Sequence, residues 1–139
     1  METQLNDIRL SPHFGLAEFL NLKEHPDNIP TVQHVVNLTY GCLMLLEPAR
    51  TVAGCPIIVN SGYRNAAYNA RVGGAARSQH LAACAADIRP RDPRQFQLLI
   101  DYLRISEHTD QLLTGRGWLH VSWNPLGPPR HDVRIGYYK

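Results

Sequence analysis

Between Ser78 and Asp87 the chain reads SQHLAACAAD, with a histidine and a carboxylate seven positions apart and small residues between them. Further on, WLHVSW (Trp118–Trp123) carries a second histidine, His120. Two imidazoles and a carboxylate are a ligand set suited to a catalytic zinc. They leave the fourth tetrahedral position to water, whose pKa the metal lowers toward about 7. The alanines between His80 and Asp87 would let the backbone pass close to such an ion. An H-x6-D pair also arises by chance, and a lone histidine is more often a satisfied polar residue than a ligand.

Strands could bring these residues together. Read as a strand, AADIR puts Ala85, Asp87 and Arg89 on one face and Ala86 and Ile88 on the other. In WLHVSW, Trp118, His120 and Ser122 share a face opposite Leu119, Val121 and Trp123. If the two strands lie together in a sheet, Asp87 and His120 converge on one side, and His80, on the segment leading in, can reach the same point.

The surrounding chain supplies such a sheet and its supports. Thr31 to Val52 spaces Val32, Val35, Val36, Leu38, Leu43, Leu45 and Leu46 as one main core helix, with Pro30 at its first position. CPIIVNSGYR predicts a buried strand ending in a turn, and NAAYNARV a short helix stopped by Gly73 and Gly74. CAADIRP predicts a short strand closed by Pro90. Asp92 and Pro93 then open a helix running to about Glu107. DQLL and WLHVSW predict two strands around the Gly115–Gly117 turn, and HDVRIGYY a last strand at an edge. Residues 1–29 are a turn-rich N-terminal segment whose Phe14, Leu16 and Phe19 pack onto the rest. The expectation is one α+β domain over 1–139, a small antiparallel sheet packed with helices.

Composition narrows the function classes. At 139 residues and 44% hydrophobic the chain can bury a sizeable core, and 19% charged residues is low for a disordered chain. A net charge of +2 gives no argument for nucleic acid or a membrane surface. The clusters Arg89, Arg91, Arg94 and Arg130, Arg134 predict a solvated basic rim. Three cysteines without a C-x-x-C pair predict free thiols in a reducing compartment rather than a disulfide framework or zinc ribbon. No secretory leader pattern and no run of about 18 apolar residues is visible. The expectation is a soluble monomer synthesised in the cytoplasm without a signal peptide.

The series SGYRNAAYNARVGGAARSQHLAACAADI followed by WLHVSW resembles the zinc D-alanyl-D-alanine carboxypeptidases of the Hedgehog/DD-peptidase fold. Members show S-G-Y-R-x4-N, V-G-G, S-x-H-x6-D and a late W-x-H. The likeness is greatest to short single-domain members from phages and prophages, including the LSPHF and LAEF opening and the HVS strand. The resemblance implies that His80, Asp87 and His120 bind Zn²⁺. It implies that Arg64 stabilises negative charge on the scissile carbonyl oxygen or holds substrate, a task suited to a permanently charged planar fork of donors. Ser78 would bind a substrate carboxylate or tie down its loop. The implied substrate is a peptidoglycan stem peptide, cut at D-Ala-D-Ala or at another bond as by an endolysin, and the protein would be released to the cell wall as a phage-type lysis enzyme.

Two positions depart from that pattern. Ala83 stands where the family carries glycine, which is mild if φ is negative there and disruptive if positive. The general base expected shortly before the last histidine is absent: Gly117 occupies its position, TGRGWL holds no acid, and Thr114 and Gly115 stand where relatives carry Glu. The nearest upstream acids are Glu107 and Asp110. Asp110 is the better substitute base, and it also reads as a turn-forming or capping aspartate. The alternative to a zinc peptidase is therefore a zinc-bearing, catalytically weak module that binds cell-wall peptides.

Overall fold

The computed structural model describes residues 2–138, with side chains from Leu5 onward. A short helix α1 (Glu2–Asp7) and a hairpin of β1 (Arg9–Ser11) and β2 (Phe14–Gly15) lead into a 3-10 turn at Leu16–Phe19. Phe14, Leu16, Phe19 and Leu20 are buried in the main core. Asn28, fully buried, fastens this segment to the rest of the chain. Its amide donates to the carbonyls of Leu20 and Tyr63 and its oxygen accepts from the Asn65 N–H.

One continuous helical run follows, made of α2 (Val32–Gly41), a π-helical segment Cys42–Leu46 and α3 (Glu47–Ala53). Thr31 caps it, its hydroxyl oxygen accepting from the His34 N–H, so Pro30 precedes the cap instead of opening the helix. The π segment has no signal in the hydrophobic spacing. It lies just before Pro48, whose ring would crowd the carbonyl four residues back in a regular helix, and the widened turn accommodates it. Gly54 ends the run in the left-handed region at φ 68°.

The sheet has five strands in the order β3 (Ile57–Ser61), β4 (Ala85–Pro90), β6 (Leu119–Ser122), β5 (Gln111–Thr114), β7 (Asp132–Arg134). Neighbours are antiparallel except β5 and β7, which run parallel. β3 lies at one edge, so only its Ile57 is buried and Ile58 and Val59 are half-exposed; the β-branched run had predicted a buried strand. At the other edge β7 covers only part of HDVRIGYY before the chain turns. Asp92 caps a 3-10 turn opened by Pro93, which leads into α4 (Phe96–Ile105), ending short of Glu107.

The apolar face of the sheet, with Ile88, Leu119, Val121 and neighbouring Trp123, packs against Leu38, Leu45, Leu46, Leu99 and Leu103 of the helices. Trp123 locks this layer, its indole N–H donating to the Asn37 carbonyl at 2.9 Å. Cys42 and Cys84 are buried free thiols and Cys55 is half-buried. Among the described residues no helix is long and apolar enough to cross a membrane.

Candidate metal centre

The strand parity read from the sequence has a direct structural consequence. In the β4–β6 ladder Asp87 stands directly opposite His120, with both side chains on the face away from the core. His80 arrives from a 3-10 turn, Gln79–Ala82, that ends where β4 is about to begin. That turn is built by Ser78, whose hydroxyl oxygen accepts from the His80 N–H at 3.2 Å. Ser78 therefore ties down the loop, and it also lines the cleft described below.

The turn closes at Ala83, which takes a left-handed conformation at φ 60°. This is the backbone for which glycine is best suited, and alanine adopts it at a cost of about 1–2 kcal/mol. The surroundings hold it there: Ala83 is fully buried, and its N–H donates to the His80 carbonyl at 3.2 Å.

The three donors converge. His120 Nδ1 lies 2.9 Å and His80 Nε2 3.3 Å from the same oxygen, Asp87 Oδ1. One ligand atom from each residue can be chosen so that all lie within 4.8 Å of one another. Donors about 2.0–2.2 Å from a tetrahedral zinc would sit about 3.3–3.6 Å apart, so the spacing suits such an ion. His80 is further oriented by its Nδ1, which is 2.6 Å from the Gly62 carbonyl. A carbonyl can only accept, so Nδ1 carries the proton and Nε2 offers its lone pair to the centre. Burial alone would push the Asp87 carboxyl up, but the hydrogen bonds with His120 and then His80 hold it well below the ordinary carboxylate range. The chemistry of this donor set fits zinc.

A cleft of about 450 Å³ opens over these residues. Arg64 lines it beside Gly74, and its backbone N–H donates to the His80 carbonyl at 3.0 Å. The Nε of Arg64 is buried with no hydrogen-bond partner among the described residues. Gly74 is required here by close approach: a Cβ would lie 2.0 Å from Asn69 Oδ1 and 3.2 Å from Arg64 Nη1. Asn69 in turn holds the loop by donating to the Ala75 carbonyl at 2.9 Å. The SGYR, Asn69 and V-G-G pieces thus form one support for the arginine.

Arg77, Gln111 and Tyr138 also line the cleft, and the sequence reading missed all three. Tyr138 stacks on Trp118 with ring centroids 4.6 Å apart, and its N–H donates to the Thr114 carbonyl. Burial, with the nearby Asp87 charge, raises its phenol above the ordinary range. No local pattern marks these positions, because their place in the cleft depends on pairing between distant segments. The stacked pair also accounts for Gly115, where a Cβ would lie 2.8 Å from the Trp118 indole nitrogen and 3.3 Å from Tyr138 Cβ. Gly117 is a turn glycine at φ 78°.

Asp110, the expected substitute base, does not line this cleft. It is buried, and its carboxylate accepts from the Arg130 backbone N–H at 2.8 Å, the Arg130 guanidinium at 2.8 Å, Gln79 at 2.9 Å and Ser122 at 3.2 Å. Burial pushes its carboxyl up, but the hydrogen bonds from Arg130, then Gln79, bring it down to about 2. Arg130 is accordingly a partner of a buried acid and not merely part of a solvated rim. Among the described residues lining the cleft Asp87 is the one carboxylate.

An α+β fold whose sheet presents two histidines and an aspartate to an open cleft, with Arg64 on its wall, defines a metallopeptidase-type centre. Residues 13–122 match the family described as Peptidase M15, and the chain belongs to this family of zinc-dependent metallopeptidases. No curated protein matches the chain.

Proposed function

We propose that the protein is a zinc peptidase of peptidoglycan stem peptides, acting at D-Ala-D-Ala or at another stem or cross-bridge bond. The observation that carries this reading is the convergence of His80 Nε2 and His120 Nδ1 on Asp87 Oδ1, with His80 oriented by the Gly62 carbonyl. These three residues would hold the ion. Zinc bound there supplies a Lewis acid for the scissile carbonyl and acidifies a water. Arg64, which lines the cleft, offers its guanidinium to the developing oxyanion or to a substrate carboxylate. Ser78 holds the turn that aims His80 and is a second contact for a substrate carboxylate. The target is the cell wall, as for a phage-type lysis enzyme, and a monomer suffices because one chain carries the whole donor set.

The single carboxylate in the cleft favours one second reading, a zinc-bearing module that binds wall peptides without turning them over. One experiment addresses both: a digest of purified muropeptides by zinc-reconstituted protein, with metal analysis and with His120→Ala as control. The peptidase reading expects fragment release that the control lacks and about one zinc per chain. Stoichiometric zinc without release selects the binding module, and absence of zinc uptake removes both.

A further inference from the structure

Beside the metal cleft lies a second recess of about 350 Å³, and Gln79 and Arg130 line both. These two residues and Asp110 form a closed ring of hydrogen bonds. Gln79 Nε2 and Arg130 Nη2 donate to Asp110 Oδ2 at 2.9 and 2.8 Å, and Arg130 Nη2 donates to Gln79 Oε1 at 3.0 Å. The Gln79–Arg130 side of this ring forms a sill shared by both cavities.

The two cavities differ in charge. Arg64 and Arg77 on the cleft wall have no carboxylate partner among the described residues. Among the described residues lining the recess the charged ones are Asp110 and Arg130, which neutralise each other. Its other walls are Ala82, Cys84, Trp123, Pro125 and Leu126, with the amides of Asn37 and Asn124. Burial pushes the Cys84 thiol up to about 11, so it too is uncharged. Leu126 is 91% exposed at the mouth, an apolar side chain available for contact.

We propose that the recess is a subsite for the uncharged, small-residue part of the substrate peptide, whose carboxylate-bearing end lies against Arg64 and Arg77. The substrate is then an extended peptide spanning both cavities across the Gln79–Arg130 sill, not a terminal dipeptide alone. This rests on the reading of the cleft as a peptide site. Continuity through two shared residues is what assigns the occupant, since the recess adjoins the cleft in which a chain would be held over the metal residues.

The chain has two tryptophans, one for each cavity: Trp118 backs the cleft wall through Tyr138, and Trp123 lines the recess. The test follows both indole N–H signals by NMR in zinc-loaded protein. It uses the Nα-acetylated pentapeptide L-Ala-L-Ala-L-Ala-D-Ala-D-Ala, whose one charge is its C-terminal carboxylate, and, separately, Nα-acetylated D-Ala-D-Ala. The pentapeptide should shift both signals and the dipeptide only that of Trp118. Ala82→Phe, at an exposed wall position, should weaken the pentapeptide at least tenfold and leave the dipeptide within twofold. The retained dipeptide shift also reports that the variant is folded. A pentapeptide that moves Trp118 alone, or that binds Ala82→Phe undiminished, overturns the subsite while the cleft reading stands. If neither peptide moves either signal, the cleft is not a peptide site and both readings fall.

Discussion

Replacing Asp110 by Asn keeps the shape of a nearly buried side chain and removes its charge. Asp110 is 2% exposed and its carboxyl titrates at about 2 against an ordinary 3.8, because the Arg130 and Gln79 hydrogen bonds outweigh the opposing effect of burial. A carboxyl depressed in the folded state contributes stability that is complete well above the unfolded value and is lost as pH falls through the folded one. At about 1.4 kcal/mol for each pKa unit, the difference corresponds to about 2 kcal/mol at pH 7 and roughly half that at pH 3. The cost stays below the ~3–5 kcal/mol typical of a stranded buried charge because the Arg130 side chain, 54% exposed, can return to water. With an unfolding entropy of about 2.1 cal/mol/K per residue, Asp110→Asn should lower the Tm by about 7 °C at pH 7. Urea unfolding at pH 7 and pH 3, with peptide turnover, measures both sides of the reasoning. The expected outcome is a stability loss that shrinks with acid and a turnover loss below about tenfold. Unchanged stability with turnover down about 10³-fold, the scale of a lost general base, would instead make Asp110 the proton acceptor.

Two other substitutions probe the supports of the site. Gly74→Ala drives a methyl into Asn69 Oδ1 and toward Arg64 Nη1, at an overpacking cost of about 1–3 kcal/mol. It should lower kcat/KM at least tenfold with zinc content unchanged, and full activity would show that Arg64 needs no such support. Ala83→Gly relieves about 1–2 kcal/mol of left-handed strain. It loses about 0.8 kcal/mol of buried methyl and about 0.4–1 kcal/mol through the freer unfolded chain. Chemical denaturation should therefore find the variant within about 1 kcal/mol of the parent, and a larger loss would mean that the Ala83 methyl packs more tightly than its burial alone implies.

What could be read from the sequence was whatever depends on short-range periodicity. The helical spacing of Val35, Leu38, Leu45 and Leu46 gives a helix at Val32–Ala53, and strand parity puts Asp87 and His120 on one face. Their direct opposition needed only that β4 and β6 be neighbours. Features set by distant partners left no local trace. The β-branched run at Ile57–Val59 reads as central whether or not a second neighbour covers it. Asp110 stands just before β5 in the manner of any turn aspartate, and only the approach of Arg130, twenty residues on, makes it a buried ion-pair member. Tyr138 and Arg77 reach the cleft through chain reversals that composition does not encode.

The position of Tyr138 has a practical consequence for preparing the protein. Its ring and backbone form part of the cleft wall, held by Trp118 and the Thr114 carbonyl. Any extension fused beyond it therefore starts at the mouth of the metal site. A polyhistidine purification handle placed there would offer imidazoles that compete with His80 and His120 for zinc and crowd an incoming peptide. Metal titrations and activity assays are best made with the handle elsewhere or removed.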